Sequence, residues 1–245
     1  MEVKRDDYVY DNVIQVEDEG TIASRRFLAG VFTWMFVALG ISAYVAYLFY
    51  SNSTYQELLF NPTTGGFSGF GYFAVFSPLV FALVMQIGYN RISYPILVLL
   101  FITYASLIGI SLGLICSQYT GGSVASVFIS SALLFGVMAA AGYYTHQDLT
   151  KFGNIIYIAF IALFISFGIN YFLHSAQLDY ILSFIGIGVF TGLTAYYMQM
   201  LKRIGAGIEY GTASGKKLAL IGGLVLYITL VNLFMMMLRI FGRRR

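Results

Sequence analysis

The amino-acid sequence predicts an all-α membrane protein, a bundle of seven transmembrane helices. Hydrophobic residues make up 59% of the 245-residue chain and charged residues only 10%, whereas a soluble domain carries roughly 25% charged residues. The apolar residues form long continuous runs, and a membrane-spanning helix needs about 20 such residues. None of the 11 carboxylates lies inside one of these runs, which is expected because a charge at mid-bilayer is costly.

Seven apolar runs define the predicted helices in order. They are continuously apolar rather than alternating with a two-residue period, which favours helices over the strands of a β-barrel. One bundle over residues 27–242 leaves little chain for a soluble domain. The predicted spans cover residues 27–50, 71–89, 94–116, 124–145, 154–173, 180–201 and 217–241.

Two of the runs carry local features that predict how they pack. Pro78 interrupts the second run and is expected to kink it, because proline removes a backbone hydrogen bond. In the third run, Gly109 and Gly113 have the small-xxx-small spacing that lets two helix backbones approach closely.

The first 26 residues form a polar segment before the first run. Seven of the 11 carboxylates lie between Glu2 and Glu19. An acidic opening followed by so long an apolar run is not a secretory signal peptide. We expect a cytoplasmic tail, either solvated and disordered or serving as a binding handle. The other carboxylates are expected in short polar breaks, at Glu57, Asp148, Asp179 and Glu209.

The Lys and Arg residues predict the orientation. Basic residues precede the first span and occupy the breaks after the second, fourth and sixth, whereas 51–70, 117–123 and 174–179 contain none. The positive-inside rule then places the N-terminus in the cytoplasm. A basic cluster after the seventh run disagrees, so either the C-terminus is external or one run is re-entrant; we favour seven crossings. The cluster comprises Arg239, Arg243, Arg244 and Arg245.

The sequence contains no recognisable enzyme constellation and no expected cofactor or metal site. Neither histidine lies within a span, and His146 and His174 are predicted on opposite sides of the membrane, so they cannot share a metal. Motifs of metalloproteases and of serine hydrolases are missing. No basic, aromatic-interleaved segment of the kind that binds nucleic acid is present.

Several segments together resemble the Bax inhibitor-1 family of membrane proteins, in its bacterial YccA-like branch. The resemblance covers residues 27–242 and depends on the order and spacing of the motifs rather than on any one of them. The motifs are Trp34-Met35 in the first run, YTGGSVASVF from Tyr119, LLFGVMAAAGYYTHQDLTKFG from Leu133, GLTAYYMQMLKR from Gly192 and LYITLVNLFMMMLRIFG from Leu226.

The resemblance implies a seven-helix bundle with the last helix at its centre and a calcium leak whose conductance responds to pH. Two aspartates, one in each of the last two helices, carry that response in the family, since paired carboxylates share a proton. Here Tyr197 and Thr229 stand at these two positions. Neither side chain titrates near neutrality, and the two hydroxyls are able to hydrogen-bond each other.

Arg91 matches a family arginine that latches onto the seventh-helix aspartate. Because that partner is replaced by Thr229, an alternative role is an interfacial arginine that reaches the headgroups. Polar residues within the spans are expected either to line a hydrated path or to bond neighbouring helices. They are Asn232, Gln199 and Asn170.

Two functions follow as expectations. The first is a leak for calcium or another cation across a bacterial inner membrane, without the di-aspartyl pH sensor. The second is a non-conducting regulator that binds a membrane-bound AAA protease, with the acidic N-terminal segment as its contact. Both place the protein in the lipid bilayer as a multi-pass protein.

Overall fold

A computed structural model describes residues 6–61, 66–208 and 211–245, with side chains from residue 20 onward. Seven of the helices in this described part are long and apolar enough to cross a membrane, which confirms the predicted fold class; α2 is a short helix between two of them. In chain order the helices are α1 (Asp6–Ser51), α2 (Ser53–Glu57), α3 (Gly69–Gly88), α4 (Tyr94–Ser117), α5 (Gly121–Tyr144), α6 (Thr150–Leu173), α7 (Ala176–Ala206) and α8 (Ala213–Phe241).

The last helix lies at the centre of the bundle, as the resemblance implied. In the most apolar 18-residue stretch of α8, 67% of the residues are buried, against 6% in the corresponding stretch of α6. Helix α8 packs against α1, α4, α5 and α7. Helix α6 packs mainly on α7, so most of its apolar surface is left to face lipid.

Helix α1 is longer than the first predicted span. It begins at Asp6 and continues without a break past residue 26. The polar segment from Asp6 onward is therefore part of the same helix as the first predicted span, instead of a separate tail. No proline interrupts this stretch, so every interior position keeps the backbone N–H that a continuous helix needs. Its apolar run begins at Phe27, after Arg25 and Arg26.

Local sequence explains where several of the other helices begin. The hydroxyls of Ser68, Ser175 and Thr212 accept hydrogen bonds from backbone N–H groups in the first turns of α3, α7 and α8, as N-cap residues do. Helix α3 stays continuous through Pro78.

The Gly109 and Gly113 spacing sits at a close contact between α1 and α4. A methyl group added at Gly109 would lie 2.7 Å from the carbonyl oxygen of Ser42. One added at Gly113 would lie 3.0 Å from that of Ala46. The two backbones therefore approach as closely as the spacing predicted.

The polar connection between the first two spans contains local structure at its described residues. It contains α2, and Phe60 pairs with Phe67 in a short antiparallel bridge, where their rings stack 5.3 Å apart. We call this end of the bundle the outer end, and the end that carries Arg91, Lys151 and Lys202 the inner end.

The C-terminal residues lie at the outer end. Arg244 pairs with Tyr119 in an isolated bridge, the Thr120 N–H donates to the Arg243 carbonyl at 2.9 Å, and Arg245 donates to the Tyr50 hydroxyl. The tail is thus on the opposite end from the basic inner loops, as seven crossings require.

Candidate functional site

The contact between α7 and α8 joins the helices that carry the two family positions. A methyl group added at Gly186 would lie 2.9 Å from Met236, and one added at Gly222 would lie 2.8 Å from Leu201. These two close contacts fix an antiparallel register. Helical spacing then puts one stripe on each facing surface: Asp179, Ser183, Gly186, Phe190, Leu193 and Tyr197 on α7, and Gly222, Val225, Thr229, Asn232, Met236 and Arg239 on α8.

An ion pair joins the outer ends of these stripes. Arg239 donates to the Asp179 carboxylate, and the two side chains are only 31% and 26% exposed. The Arg239 guanidinium also lies 4.8 Å from the ring centre of Phe167. Asp179 is in the first turn of α7 and Arg239 in the last turn of α8, so each charge also interacts favourably with its own helix dipole.

Asp179 was expected in a polar break before the sixth span. It lies instead inside α7, which begins at Ala176. The Ser175 hydroxyl caps this helix by accepting from the Leu178 N–H, and the ion pair offsets the cost of placing a carboxylate in the outer turn of a membrane helix.

Below the ion pair, the facing stripes carry hydroxyl and amide groups. Ser183 is fully buried, and its hydroxyl makes no hydrogen bond within the described residues. The Thr229 hydroxyl donates to the Val225 carbonyl at 2.8 Å, and the Asn232 amide donates to the Ile228 carbonyl at 2.8 Å. Since both donate within their own helix, their oxygens remain available as acceptors.

Tyr197 and Thr229 lie on the facing stripes, within about one helical turn of each other along the axis. Thr229 is 2% exposed, whereas Tyr197 is half-buried and packs edge-on against Tyr196. The Thr229 hydroxyl donates to its own helix, so it does not donate to Tyr197. The two positions thus share one interface, and the Thr229 proton is directed along α8.

At the inner end, Gln199 holds the connection between α5 and α6. Its side-chain oxygen accepts from the Leu149 N–H at 2.9 Å, and its amide donates to the Gln147 carbonyl at 2.7 Å. Lys202 adds a bond from Nζ to the Tyr143 carbonyl at 2.8 Å. Gln199 therefore bonds the loop between α5 and α6, and its role as a pore-lining residue stays a prediction.

A second ion pair lies in the same inner loop. Arg203 is 2.8 Å from the Asp148 carboxylate, and both side chains are largely exposed. Hydrogen bonds from the Thr150 hydroxyl, then from Arg203 and from the Thr150 N–H, lower the pKa of Asp148 to about 2. Asp148 is outside the spans and stays ionised at all physiological pH values.

The structure does not bring Arg91 and Asn170 to the interface of α7 and α8. Arg91 is exposed in the turn between α3 and α4 and forms no ion pair within the described residues. Asn170 is buried near the outer end of α6, and its side-chain oxygen accepts from the Ser175 N–H at 3.2 Å. Asn170 thus shapes the turn into α7.

The ion pair of Asp179 with Arg239 was missed by reasoning from sequence. The signal was present, since Asp179 and Arg239 are opposite charges that each lie at the outer boundary of an apolar run. Sixty residues separate them, and only the antiparallel register of α7 and α8 shows that they meet. Glu209, the acid expected between these helices, lies outside the described residues.

Comparison with known proteins gives consistent matches along almost the whole chain. A family described as "Inhibitor of apoptosis-promoting Bax1" matches residues 24–245. The chain is 36% identical over 222 residues to the "Inner membrane protein YbhL" of Escherichia coli K12, covering 90% of this chain and 93% of that protein.

Two further relatives match over a similar share of both chains. The chain is 35% identical over 228 residues to "Uncharacterized protein RP147" of Rickettsia prowazekii, covering 93% of this chain and 92% of that protein. It is 32% identical over 231 residues to a protein of Borreliella burgdorferi, covering 94% and 97% respectively.

Proposed function

Since the chain belongs to the Bax inhibitor-1 family of integral membrane proteins, we propose that it is a cation leak, for calcium in the first instance, in a bacterial inner membrane. The path runs along the contact between α7 and α8. It lacks the family's pH gating, because Tyr197 and Thr229 replace both aspartates.

The observation that carries this proposal is the set of oxygens between the two stripes. Ser183 is buried, and its hydroxyl has no partner among the described residues; a buried polar group without a partner is rare enough to need an explanation. The oxygens of Thr229 and Asn232 are also left as acceptors, because both side chains donate to their own helix. Calcium takes oxygen ligands, including carbonyl and amide oxygens.

The ion pair of Asp179 with Arg239 closes the path at its outer end in this conformation. Opening would separate the pair, leaving the Asp179 carboxylate as the first oxygen ligand that an entering cation meets. A carboxylate at a mouth attracts cations, whereas an unpaired arginine repels them. In this proposal the leak selects for cations at its mouth rather than at mid-membrane.

Calcium flux into proteoliposomes tests the path. Thr229→Val and Asn232→Leu together remove two of the oxygens at little change in volume, and we expect the flux to fall by about tenfold or more. Thr33→Val is the matched control, because the Thr33 hydroxyl also donates to a carbonyl four residues back, at 2.8 Å, but is exposed on α1. It should leave the flux unchanged.

Two outcomes would overturn the leak. One is calcium flux through wild-type vesicles no greater than through protein-free vesicles. The other is equal flux in the double variant and in Thr33→Val, which would show that the oxygens of α8 do not line the path.

A second candidate function is favoured by α1, which begins at Asp6, well before its apolar run starts at Phe27. A helical, acidic extension at the inner end offers a surface for a basic partner, and the expected partner is a membrane-bound AAA protease. Copurification from cells with residues 1–19 intact and deleted tests it. A partner lost with the deletion, with calcium flux unchanged, supports the regulator. Equal recovery from both contradicts it.

A further inference from the structure

Helices α1 and α5 run side by side without packing closely, and two apolar cavities fill the gap between them. The inner cavity, of about 390 Å³, lies between Met35 and Gly136 and reaches Met198 of α7. The outer cavity, of about 370 Å³, lies between Ala43 and Ala125. Each volume falls within the range of small-molecule sites, roughly 300–1,000 Å³.

The outer cavity is open to the lipid side and closed toward the core. Its rim includes Tyr47 and Phe128, which are 65% and 40% exposed. Its floor includes Val231 and Phe234 of the central helix α8. The lining is almost entirely apolar, so the cavity favours a hydrocarbon chain over a polar ligand.

The length of the outer cavity matches one leaflet of a bilayer. It follows α1 from Leu39 to Tyr50, and 11 helical rises span roughly 17 Å. Half of a hydrocarbon core of about 30 Å is about 15 Å. One acyl chain lying along this cavity would therefore end near mid-membrane, with its headgroup beside Tyr50.

Three arginines stand at that headgroup position. Arg245 donates to the hydroxyl of Tyr50, which itself lines the cavity. The Arg244 guanidinium is 6.0 Å from the ring centre of Tyr119. All three side chains of Arg243, Arg244 and Arg245 are exposed, and within the described residues none forms an ion pair.

The tail is held in place by its backbone rather than by its charges. The Arg243 N–H donates to the Ser123 hydroxyl at 2.8 Å, and the Arg245 N–H donates to the Gln118 carbonyl at 3.0 Å. These bonds keep three cationic side chains at the outer end of the bundle, beside the cavity. The positive-inside rule does not favour basic residues at that end.

We propose that the outer cavity between α1 and α5 is a binding site for one anionic phospholipid, with an acyl chain lying along α1 and the phosphate held by Arg243–Arg245. Arginine binds phosphate through paired N–H donors, and basic residues beside a membrane attract anionic lipids. This also accounts for the basic cluster on the outer end. The site is independent of the proposed leak.

Native mass spectrometry of the purified full chain tests the proposal, with phosphatidylglycerol and phosphatidylcholine of identical acyl chains as probes. We expect one phosphatidylglycerol to be retained in preference to phosphatidylcholine. Replacing all three arginines by glutamine should weaken its binding by about fivefold per arginine. Arg25→Gln with Arg26→Gln, two exposed arginines at the inner end, should leave it unchanged.

A second variant tests the acyl-chain part of the site. Ala125→Trp fills the outer cavity from α5 and should weaken phosphatidylglycerol binding. Ile129→Trp is its control, because Ile129 is 59% exposed on the same helix and does not line the cavity. Circular dichroism and size-exclusion chromatography of each variant establish that it is folded.

Four results would overturn the proposal. Equal retention of the two lipids would show ordinary contact with bulk lipid. Unchanged binding in the triple glutamine variant would show that the arginines do not hold the headgroup. Equal binding by Ala125→Trp and Ile129→Trp would show that the acyl chain does not lie in the cavity. Displacement by millimolar inorganic phosphate would show a simple anion site. A dimer broken by Ala125→Trp would assign the cavity to a second copy of this chain.

Discussion

The two ends of the bundle each carry an aspartate paired with an arginine, and the pairs differ in burial and in what they join. At the outer end, Asp179 and Arg239 join α7 to α8 and are less than one-third exposed. At the inner end, Asp148 and Arg203 are 41% and 50% exposed and hold a loop. The outer pair therefore couples two core helices, whereas the inner pair fixes a local turn.

The difference shows where charge matters in this chain. An exposed pair such as Asp148 with Arg203 contributes little to the free energy of unfolding, because water screens it. Breaking a buried pair costs more, since it leaves a charge without a partner. Within the described residues, the membrane-spanning middle of the contact between α7 and α8 carries no charged side chain, and its polar side chains have only hydroxyl and amide groups. No carboxylate there can change charge and so link the two ends.

Introducing carboxylates at mid-membrane, between the two ion pairs, should have the largest effect on calcium flux of any of these changes. In the double variant Tyr197→Asp with Thr229→Asp, two carboxylates would face each other within about one helical turn and share a proton. We expect calcium flux in proteoliposomes to change by at least about tenfold between pH 5 and pH 8. The variant Tyr197→Asn with Thr229→Asn is the control, and its flux should stay independent of pH. A flat profile for the aspartate variant would mean that these positions are not on the path.

Asp179→Asn sharpens the comparison at the outer end. It leaves Arg239 unpaired in a half-buried site, so the free energy of unfolding should fall by about 1–2 kcal/mol, and the calcium flux should rise because the closing contact is weakened. Thermal unfolding in detergent and vesicle flux measure the two effects. Adding Arg239→Gln should recover part of the stability; a loss equal to that caused by Arg239→Gln in the wild type would show that the two side chains act independently.

Gln199→Leu tests the inner end without touching a charge. It removes two hydrogen bonds and leaves the Leu149 N–H and the Gln147 carbonyl without them, at a cost of about 1–3 kcal/mol. Limited proteolysis should then cut the connection between α5 and α6 faster. Gln86→Leu, at an exposed position in α3, is the control. Equal proteolysis of both variants would argue against a pinned loop.

Asp148→Asn should have the smallest effect, and the effect should depend on pH in a defined direction. Folding lowers the pKa of Asp148 from 3.8 to about 2, so the folded state binds this proton more weakly. The small stabilisation is then complete above about pH 4 and is lost as the pH falls toward 2. Melting curves of the wild type and the variant should differ slightly at pH 6 and converge near pH 2. A difference that grows on acidification would contradict this.

The sequence predicted the fold well because hydrophobic length is a strong signal in membranes. Each of the seven runs corresponds to one long helix, and Gly109 and Gly113 do mark a close helix contact. Boundaries were less accurate. Helix α7 begins at Ala176 and ends at Ala206, beyond the predicted 180–201, because polar residues continue a helix outside the membrane and composition does not show where it ends.

The candidate site could be predicted only in part. The positions of Tyr197 and Thr229 followed from the family pattern, and their roles remain predictions. The pairing of Asp179 with Arg239, and the bonds from Gln199 to residues 147 and 149, depend on the register between helices that are distant in sequence. Apolar periodicity does not encode that register, because every face of a membrane helix is apolar.

The most direct test of the proposed function is calcium flux through the wild-type protein in proteoliposomes between pH 5 and pH 8. Histidine is the side chain that ordinarily changes charge in this range, so the variant with His146→Gln and His174→Gln is measured beside it. We predict a flux above that of protein-free vesicles that is nearly constant with pH in both proteins. A steep dependence on pH that survives the loss of both histidines, or no flux at all, would contradict an ungated cation leak.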